Sequence, residues 1–315
     1  MKKIGLINID GHSDFPNLAL CKISAYWKAK GVQVEWYNAF EHYDICYCSK
    51  VFTFTPDYLY PINADTVVKG GTGYSITVKL SIEMENVLPD LSLYPDFPHA
   101  LGFLTRGCVR NCAWCVVPKK EGDIKPYAHI EDILQGRKSV VLMDNNILAN
   151  YSYAVSEFQK MIDLGIKVDF NQGLDARLVT PDTAKLLAKI KWIRHPRFSC
   201  DTKSNFNSIK QAIDLLREYG YKGEIFIYVL LTEDIHECLD RIMALDYLDF
   251  TENGDRMQKI KLFAQPYIDY SGKNNVPQWQ RDMARWVNNK RLFYSDIFSN
   301  YQPRKGFYCE EYLKN

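Results

Sequence analysis

Three observations predict an α/β protein in two parallel-sheet units, the second a partial (β/α)6 barrel of the TIM type. Short apolar or alternating segments recur between amphipathic stretches along most of the 315-residue chain. A stretch with three prolines and little periodicity, NVLPDLSLYPDFP at 86–98, interrupts that series. Directly after it a loop at 102–122, GFLTRGCVRNCAWCVVPKKEG, carries three cysteines, and the alternation resumes behind it.

Residues 1–85 read as a small Rossmann-like parallel sheet. KIGLINI at 3–9 is a buried strand that ends in the polar turn DGHSDFPN, and a helix at 18–30 is closed by Gly31. VQVEWYN alternates as a second strand. Third and fourth strands fall at 44–50 and 65–69, and the fourth runs into Gly70-Gly71-Thr72-Gly73. Residues 86–98 are the linker, and the barrel spans 99–270. Its first strand, 99–105, delivers the cysteine loop. Further strands are expected at 139–143, 167–171, 192–200, 224–231 and 259–264, with helices at 151–164, 182–190, 204–219 and 235–245 between them. In such a barrel ligands sit at the carboxyl ends of the strands, so the cysteine loop and the active site should coincide.

Composition excludes some functions. With 39 basic and 38 acidic residues the net charge is +1, which argues against a strongly electrostatic, sequence-indifferent nucleic-acid binder. No signal peptide and no apolar run of membrane-spanning length is present, so the expected compartment is the cytoplasm, with no membrane partner. Six further cysteines (Cys21, Cys46, Cys48, Cys200, Cys238 and Cys309) are scattered, as buried thiols of a reducing compartment would be.

Cys108, Cys112 and Cys115 stand in a C-x3-C-x2-C array. A four-iron cluster takes four ligands, so three thiolates leave one iron open to a ligand that is not protein. Zinc is the alternative, but zinc sites usually pair two ligand knuckles and no second C-x2-C or H-x3-H follows. Gly107 allows a tight turn beside the cysteines, and Arg106, Arg110, Lys119 and Lys120 place cations near them.

The array, with Trp114 just before its last cysteine, resembles the signature of the radical S-adenosylmethionine (radical SAM) superfamily. That resemblance implies a 4Fe-4S cluster on Cys108, Cys112 and Cys115, with SAM chelating the open iron through its amino and carboxylate groups. It also implies reductive cleavage of SAM to a 5′-deoxyadenosyl radical, hydrogen abstraction from a substrate that is a small molecule, peptide or RNA, and a flavodoxin or ferredoxin-like electron donor. Strand-end residues then become candidates for SAM. Asp144-Asn145-Asn146 ends the second barrel strand where the family often has Gly-Gly-Glu, and Asp144 with the amides of Asn145 and Asn146 can accept from the SAM ammonium, Asp144 and Asn145 being the first candidates. Asn171-Gln172-Gly173-Leu174-Asp175-Ala176-Arg177 ends the third, where Gln172, Asp175 and Arg177 suit ribose hydroxyls and carboxylate; an Asp175 to Arg177 brace is the alternative. On the fourth, Arg194, Arg197 and Asp201 are polar, and Arg197 is the candidate for the SAM carboxylate. The residue at the position of Trp114 offers backbone groups to adenine in the family. The G-x-I-x-G-x-x-E pattern of the fifth strand is absent, since 228–233 reads YVLLTE.

The first 90 residues or so resemble a shortened cobalamin-binding domain. Asp10, His12 and Phe15 echo D-x-H-x-x-G without its glycine, and the loops after the first and third strands read as short, with Asp14, Asp57 and tyrosines. The expectation is therefore that no corrinoid binds, and that His12 and Tyr74 face the substrate pocket. A cobalamin-dependent methyltransferase is the first alternative. Residues 271–315 interleave aromatics such as Trp279, Trp286, Phe293 and Phe298 with Arg281, Arg285, Arg291 and Arg304. They suit either a helical cover for the open side of the barrel or an RNA surface, which would make the chain an RNA-modifying or RNA-binding protein.

Overall fold

A four-stranded parallel sheet opens the chain, ordered β2-β1-β3-β4, from β1 (Lys3–Asn8), β2 (Gln33–Trp36), β3 (Tyr43–Ser49) and β4 (Ala64–Gly70). The structure is a computed structural model that describes residues 2–11, 15–257, 259–269 and 275–314. The expectations for His12 and Asp14 lie outside the described residues. Helix α1 (Leu18–Ala29) starts where the Asn17 side chain accepts from the Leu20 N–H, and it packs Leu20 and Ile23 on Ile4 and Leu6. The other face carries Ile7, Cys46 and Cys48, covered by Tyr58 and Ile62 of the loop between β3 and β4. That loop runs from Lys50 to Asn63 and is not short. It exposes Val51, Phe52 and Phe54, with the Phe52 and Phe54 rings stacked 5.2 Å apart.

After α2 (Ile82–Glu85) the segment expected as a plain linker forms a 3-10 turn, Leu91–Leu93, capped by Asp90. Leu91 is buried against Cys21 of α1 and Leu101 and Val141 beyond. Burial of these apolar side chains ties the segment to both regions.

Two further parallel sheets follow. The first, β10-β9-β8-β5, comprises β5 (Ala100–Gly102), β8 (Ser139–Leu142), β9 (Lys167–Phe170) and β10 (Lys191–Trp192). The second is β11 (Arg197–Ser199), β12 (Ile225–Leu231) and β13 (Ile260–Pro266). Between β5 and β8, β6 (Thr105–Arg106) and β7 (Lys125–Pro126) make a two-residue antiparallel ribbon. The single strand expected at 192–200 is split, because Pro196 has no N–H with which to continue a ladder. Leu174 bridges Phe198 in parallel, its N–H donating to the Arg197 carbonyl at 2.8 Å, so the two sheets adjoin in chain order.

Helices α3 (Val117–Glu121), α4 (Ile130–Leu134), α5 (Tyr151–Asp163), α6 (Pro181–Leu187), α7 (Phe206–Glu218) and α8 (Ile235–Tyr247) fall between these strands. One core joins α4 to α8 with the sheets: Phe158, Leu187, Ile209 and Ile242 meet Val140, Val168, Phe198, Ile227 and Leu262. Helices α9 (Gln278–Asn288) and α10 (Lys290–Ser295) begin the tail. Trp286, Met283 and Phe298 join that same core. The tail thus lies on the helix-bearing side of β13, and these aromatics are spent on packing. No helix among the described residues is long and apolar enough to cross a membrane.

Candidate functional site

The loop from Gly107 to Gly122 leaves the carboxyl side of β5 and closes at a braced neck. Cys108 N–H donates to the Gly122 carbonyl at 3.1 Å. Gly107 has φ +85°, and a Cβ there would lie 2.2 Å from the Asp123 carbonyl oxygen, so no other residue fits the turn. Glu121 holds the neck from within. It accepts from Arg106 Nε at 3.0 Å and Nη2 at 2.8 Å, from Gly107 N–H at 3.1 Å and from Asn145 Nδ2 at 3.0 Å. Burial pulls its pKa up, but Arg106 and the other donors outweigh this and leave it lowered.

Asp144 lies beneath the neck. Only 1% exposed, it accepts from Leu104 N–H at 3.0 Å, Thr105 N–H at 2.5 Å and Thr105 Oγ1 at 2.7 Å. Burial pushes its pKa up to about 6. With its oxygens so engaged, it braces the strand that delivers the loop and offers little to an ammonium. Arg197 is also withdrawn. It is 4% exposed and paired with Asp169 through Nη1–Oδ1 at 2.5 Å and Nη2–Oδ2 at 2.9 Å, so it belongs to the interior. Arg194 is exposed, as is Gln172.

Around the cysteines a different set converges. Cys108 Sγ accepts from Arg110 N–H at 3.3 Å and from Asn146 Nδ2 at 3.5 Å, and Cys115 N–H donates to the Cys112 carbonyl at 3.0 Å. Arg110 Nε reaches Asp175 Oδ2 at 2.9 Å, and Arg177 Nε donates to Asp175 Oδ1 at 2.7 Å. Asp175 therefore links the cysteine loop to the end of β9, and its pairing with Arg177 serves that link. Burial raises the Cys112 and Cys115 thiols; Arg177 works the other way on Cys112, while Asp201 and the neighbouring thiols add to the rise. Asp201, raised by burial, accepts from Ser199 Oγ at 3.1 Å, and Trp114 acts to lower it.

Two features test whether an iron cluster with SAM fits here. Thiolates on one loop are the right donor type, and their charges influence one another. Among the described residues, however, no three Cys, His, Asp or Glu side chains already stand as a metal-binding group. The second feature is Asn146 Oδ1, buried without a hydrogen-bond partner while its amide nitrogen faces Cys108 and Asp175. A buried, unpaired carbonyl oxygen beside the cysteines asks for a donor, which a ligand ammonium supplies. The donor set and this orphan fit the group. Glu121 was absent from the residues first singled out, whereas Asn146 stood among them as one of two amides able to accept from the ammonium. For Asn146 the Asp-Asn-Asn run carried a signal; for Glu121, only its place at the end of the loop did.

The first sheet meets this loop. Lys120 Nζ donates to Thr72 Oγ1 at 2.5 Å, in the Gly-rich turn after β4. Gly71 has φ +97°, and a Cβ would approach the Lys50 carbonyl to 2.4 Å, so the turn is pressed onto the end of β3. Nearby, Lys22 of α1 donates to the Glu85 carbonyl at 2.6 Å and pairs with its carboxylate, which Arg106 also meets at 3.2 Å. Asp10 accepts from Val51 and Phe52 N–H and from Thr55 Oγ1, fixing the β3–β4 loop. Phe15 packs edge-on to Phe97. Tyr74 donates to Asp57.

No protein-family model and no curated protein matches this sequence. Among solved structures, the fold is similar to that of a radical S-adenosylmethionine methyltransferase, TsrM, from Kitasatospora setae, solved with cobalamin and a 4Fe-4S cluster bound. The TM-score is 0.62 at 13% sequence identity, over 84% of this chain and 75% of that one. The likeness is one of mixed α/β fold with parallel sheets. It lends no support to the expectation that no corrinoid binds, since that protein holds cobalamin.

Proposed function

We propose that this chain is a radical SAM enzyme, with Cys108, Cys112 and Cys115 as ligands of a 4Fe-4S cluster and SAM at the open iron. The observation that carries the reading is the placement of the three thiols. They ride on the loop that follows the first strand of a parallel series, with Asn146, Asp175 and Arg177 from the next two strand ends around Cys108 and Cys112. We read β5, β8, β9, β11, β12 and β13 as the six strands of a partial (β/α)6 barrel, within units at 1–85, 99–270 and 271–315 joined by 86–98.

Cys108, Cys112 and Cys115 would hold the cluster, which would supply the single electron needed for reductive cleavage of SAM. The protein's part is to bind and orient. Asn146 Oδ1 accepts from the SAM ammonium, and Arg110 and Arg177 offset the charge of the thiolate centre. Asp175, held by both arginines, keeps a hydrogen-bond acceptor beside the ribose, and Asn145 fixes the neck through Glu121. Trp114 presents its backbone to adenine. A flavodoxin or ferredoxin-like protein supplies the electron.

Incubation of the reduced protein with SAM under anaerobic conditions should give 5′-deoxyadenosine and methionine, slowly without substrate. Asn146→Ala should weaken SAM binding by about 1.5–3 kcal/mol, the worth of a hydrogen bond to a charged group. Absence of 5′-deoxyadenosine from cluster-loaded protein would count against the reading.

A second reading, corrinoid-dependent methyl transfer on the same scaffold, is favoured by one observation. The β3–β4 loop exposes Val51, Phe52 and Phe54 beside the Gly71–Gly73 turn, an apolar shelf of the kind a flat macrocycle needs. The likeness to the cobalamin-bound structure covers more of this chain than residues 86–315 could supply, so it extends into the first sheet. Hydroxocobalamin retained in stoichiometric amount after desalting, and lost in Phe52→Asp, favours this reading; no retention favours the first.

A further inference from the structure

The β11-β12-β13 sheet has two unlike faces. On one, Phe198, Ile227, Val229, Leu262 and Ala264 sink into the core shared with the helices. The residues that alternate with them turn the other way. Register sets these in rows across the three strands: Arg197, Phe226 and Lys261 in one, then Ser199, Tyr228 and Phe263 in the next toward the carboxyl ends. The rings of the two rows form one wall. Phe226 and Tyr228 lie 4.8 Å apart, Phe226 and Phe263 5.9 Å, and Tyr228 and Phe263 6.0 Å. It is only partly covered. Phe263 is 37% exposed and Tyr228 half-buried, and the Tyr228 hydroxyl has no hydrogen-bond partner among the described residues.

The wall is continuous with the cysteine site. Asp201 stands two residues past Ser199, roughly 7 Å along the chain if extended. Its Oδ2 accepts from Ser199 Oγ at 3.1 Å, and its charge acts on the thiols of Cys112 and Cys115 and on Arg177. Ser199 and Asp201 therefore mark the border of the wall next to the thiols. The far border is cationic. Lys261 Nζ lies 5.7 Å from the centre of the Phe226 ring and makes no ion pair among the described residues, whereas Arg197 in the same row is spent on Asp169. An open aromatic surface with a few polar groups at its rim suits a flat apolar ligand, and rings meet it stacked or edge-on.

We propose that the wall of Phe226, Tyr228 and Phe263 is the substrate site, and that the substrate presents an aromatic ring bearing an anionic group, a carboxylate or a phosphate. The inference rests on the reading of the three cysteines as the reacting centre. Charge sets the orientation. Lys261 draws the anion to the far border and Asp201 repels it from the near one, so the opposite edge of the ring points toward the cysteine loop. Tyr228 and Phe263 take the ring itself, and Ser199 and the Tyr228 hydroxyl offer hydrogen bonds to its substituents.

Saturation-transfer NMR of the full chain, titrated with phenylacetate and with phenyl phosphate, reads the proposal. Cyclohexylacetate, which lacks the aromatic ring, and phenylacetamide, which lacks the charge, are the controls. Binding is read whether or not SAM is cleaved, so its failure and the failure of the radical reading are separate results. At least one of the two anions should bind saturably, roughly threefold or more tightly than either control, and the tighter of the two names the anionic group. Phe263→Ala should weaken it about fivefold. Lys261→Gln should weaken it about threefold and leave phenylacetamide unchanged. Circular dichroism of each variant keeps loss of fold distinct from loss of binding. No saturable binding below about 20 mM overturns the proposal. So does equal binding of all four compounds, or folded Phe263→Ala and Lys261→Gln proteins that bind as the parent does.

Discussion

The sheet β2-β1-β3-β4 and the strand series from β5 to β13 are both parallel, and they are covered with very different amounts of material. In the series, α4 to α9 lie over one face and share a single apolar core with the strands. In the first sheet one helix covers one face, a loop covers part of the other, and β4 stays exposed from Asp65 to Lys69, with Lys69 paired to Asp57 of that loop. Parallel strands normally need cover on both faces. The contrast assigns the roles: the series supplies rigidity beneath the cysteine loop, and the thinner sheet supplies surface. Its Gly71–Gly73 turn meets the cysteine loop where Lys120 donates to Thr72.

The comparison can be broken first at its strongest joint. Arg197→Met leaves Asp169 buried without its partner and should cost about 3–5 kcal/mol in urea unfolding. Asp169→Leu combined with Arg197→Met should recover much of that. Next is His195, 8% exposed and stacked on Phe226. Burial, with Arg197 and Lys261 adding to it, lowers its pKa from 6.5 to about 4. The unfolded chain therefore binds the proton more readily. This contribution is present above pH 6.5 and lost as pH falls toward 4, by about 3 kcal/mol. His195→Phe should flatten that part of the stability curve. Gly107→Ala forces a Cβ onto the Asp123 carbonyl and should cost about 1–3 kcal/mol, with faster hydrogen exchange confined to the neck of the loop. Smallest is Asn288→Ala, which bares Ala264 on β13; loss of the pair of bonds should cost about 1–2 kcal/mol in urea unfolding, and the same edge becomes prone to self-association.

Much of this was legible from patterns of residues. Short apolar or alternating runs located β1, β2, β3, β9 and β12, and the 3.6 period located α1, α5, α7 and α8, because these patterns are local properties of the chain. The cysteine array stood out because its spacing is also local. What depends on tertiary contact was hidden. Nothing at Arg197 says that Asp169 awaits it across the sheet, so an interior ion pair looked like a carboxylate clamp. Asp144 looked like a ligand because its three donors, on Leu104 and Thr105, lie 39 and 40 residues away in sequence. The tail suggested a cover for the open side, and only the packing of Trp286 and Met283 puts it on the helix-bearing side. The loop after β3 read as short because Tyr58 and Ile62 cover the sheet without regular structure.

The central claim is that Cys108, Cys112 and Cys115 hold a redox-active cluster open to SAM. It is tested most directly by iron and sulfide content of the anaerobically purified protein, with electron paramagnetic resonance of the reduced form before and after SAM. The account predicts about four irons per chain, a reduced-cluster signal that changes when SAM is added, and loss of iron in Cys112→Ala but not in Cys238→Ala. Zinc in place of iron, or full iron loading in Cys112→Ala, would contradict it.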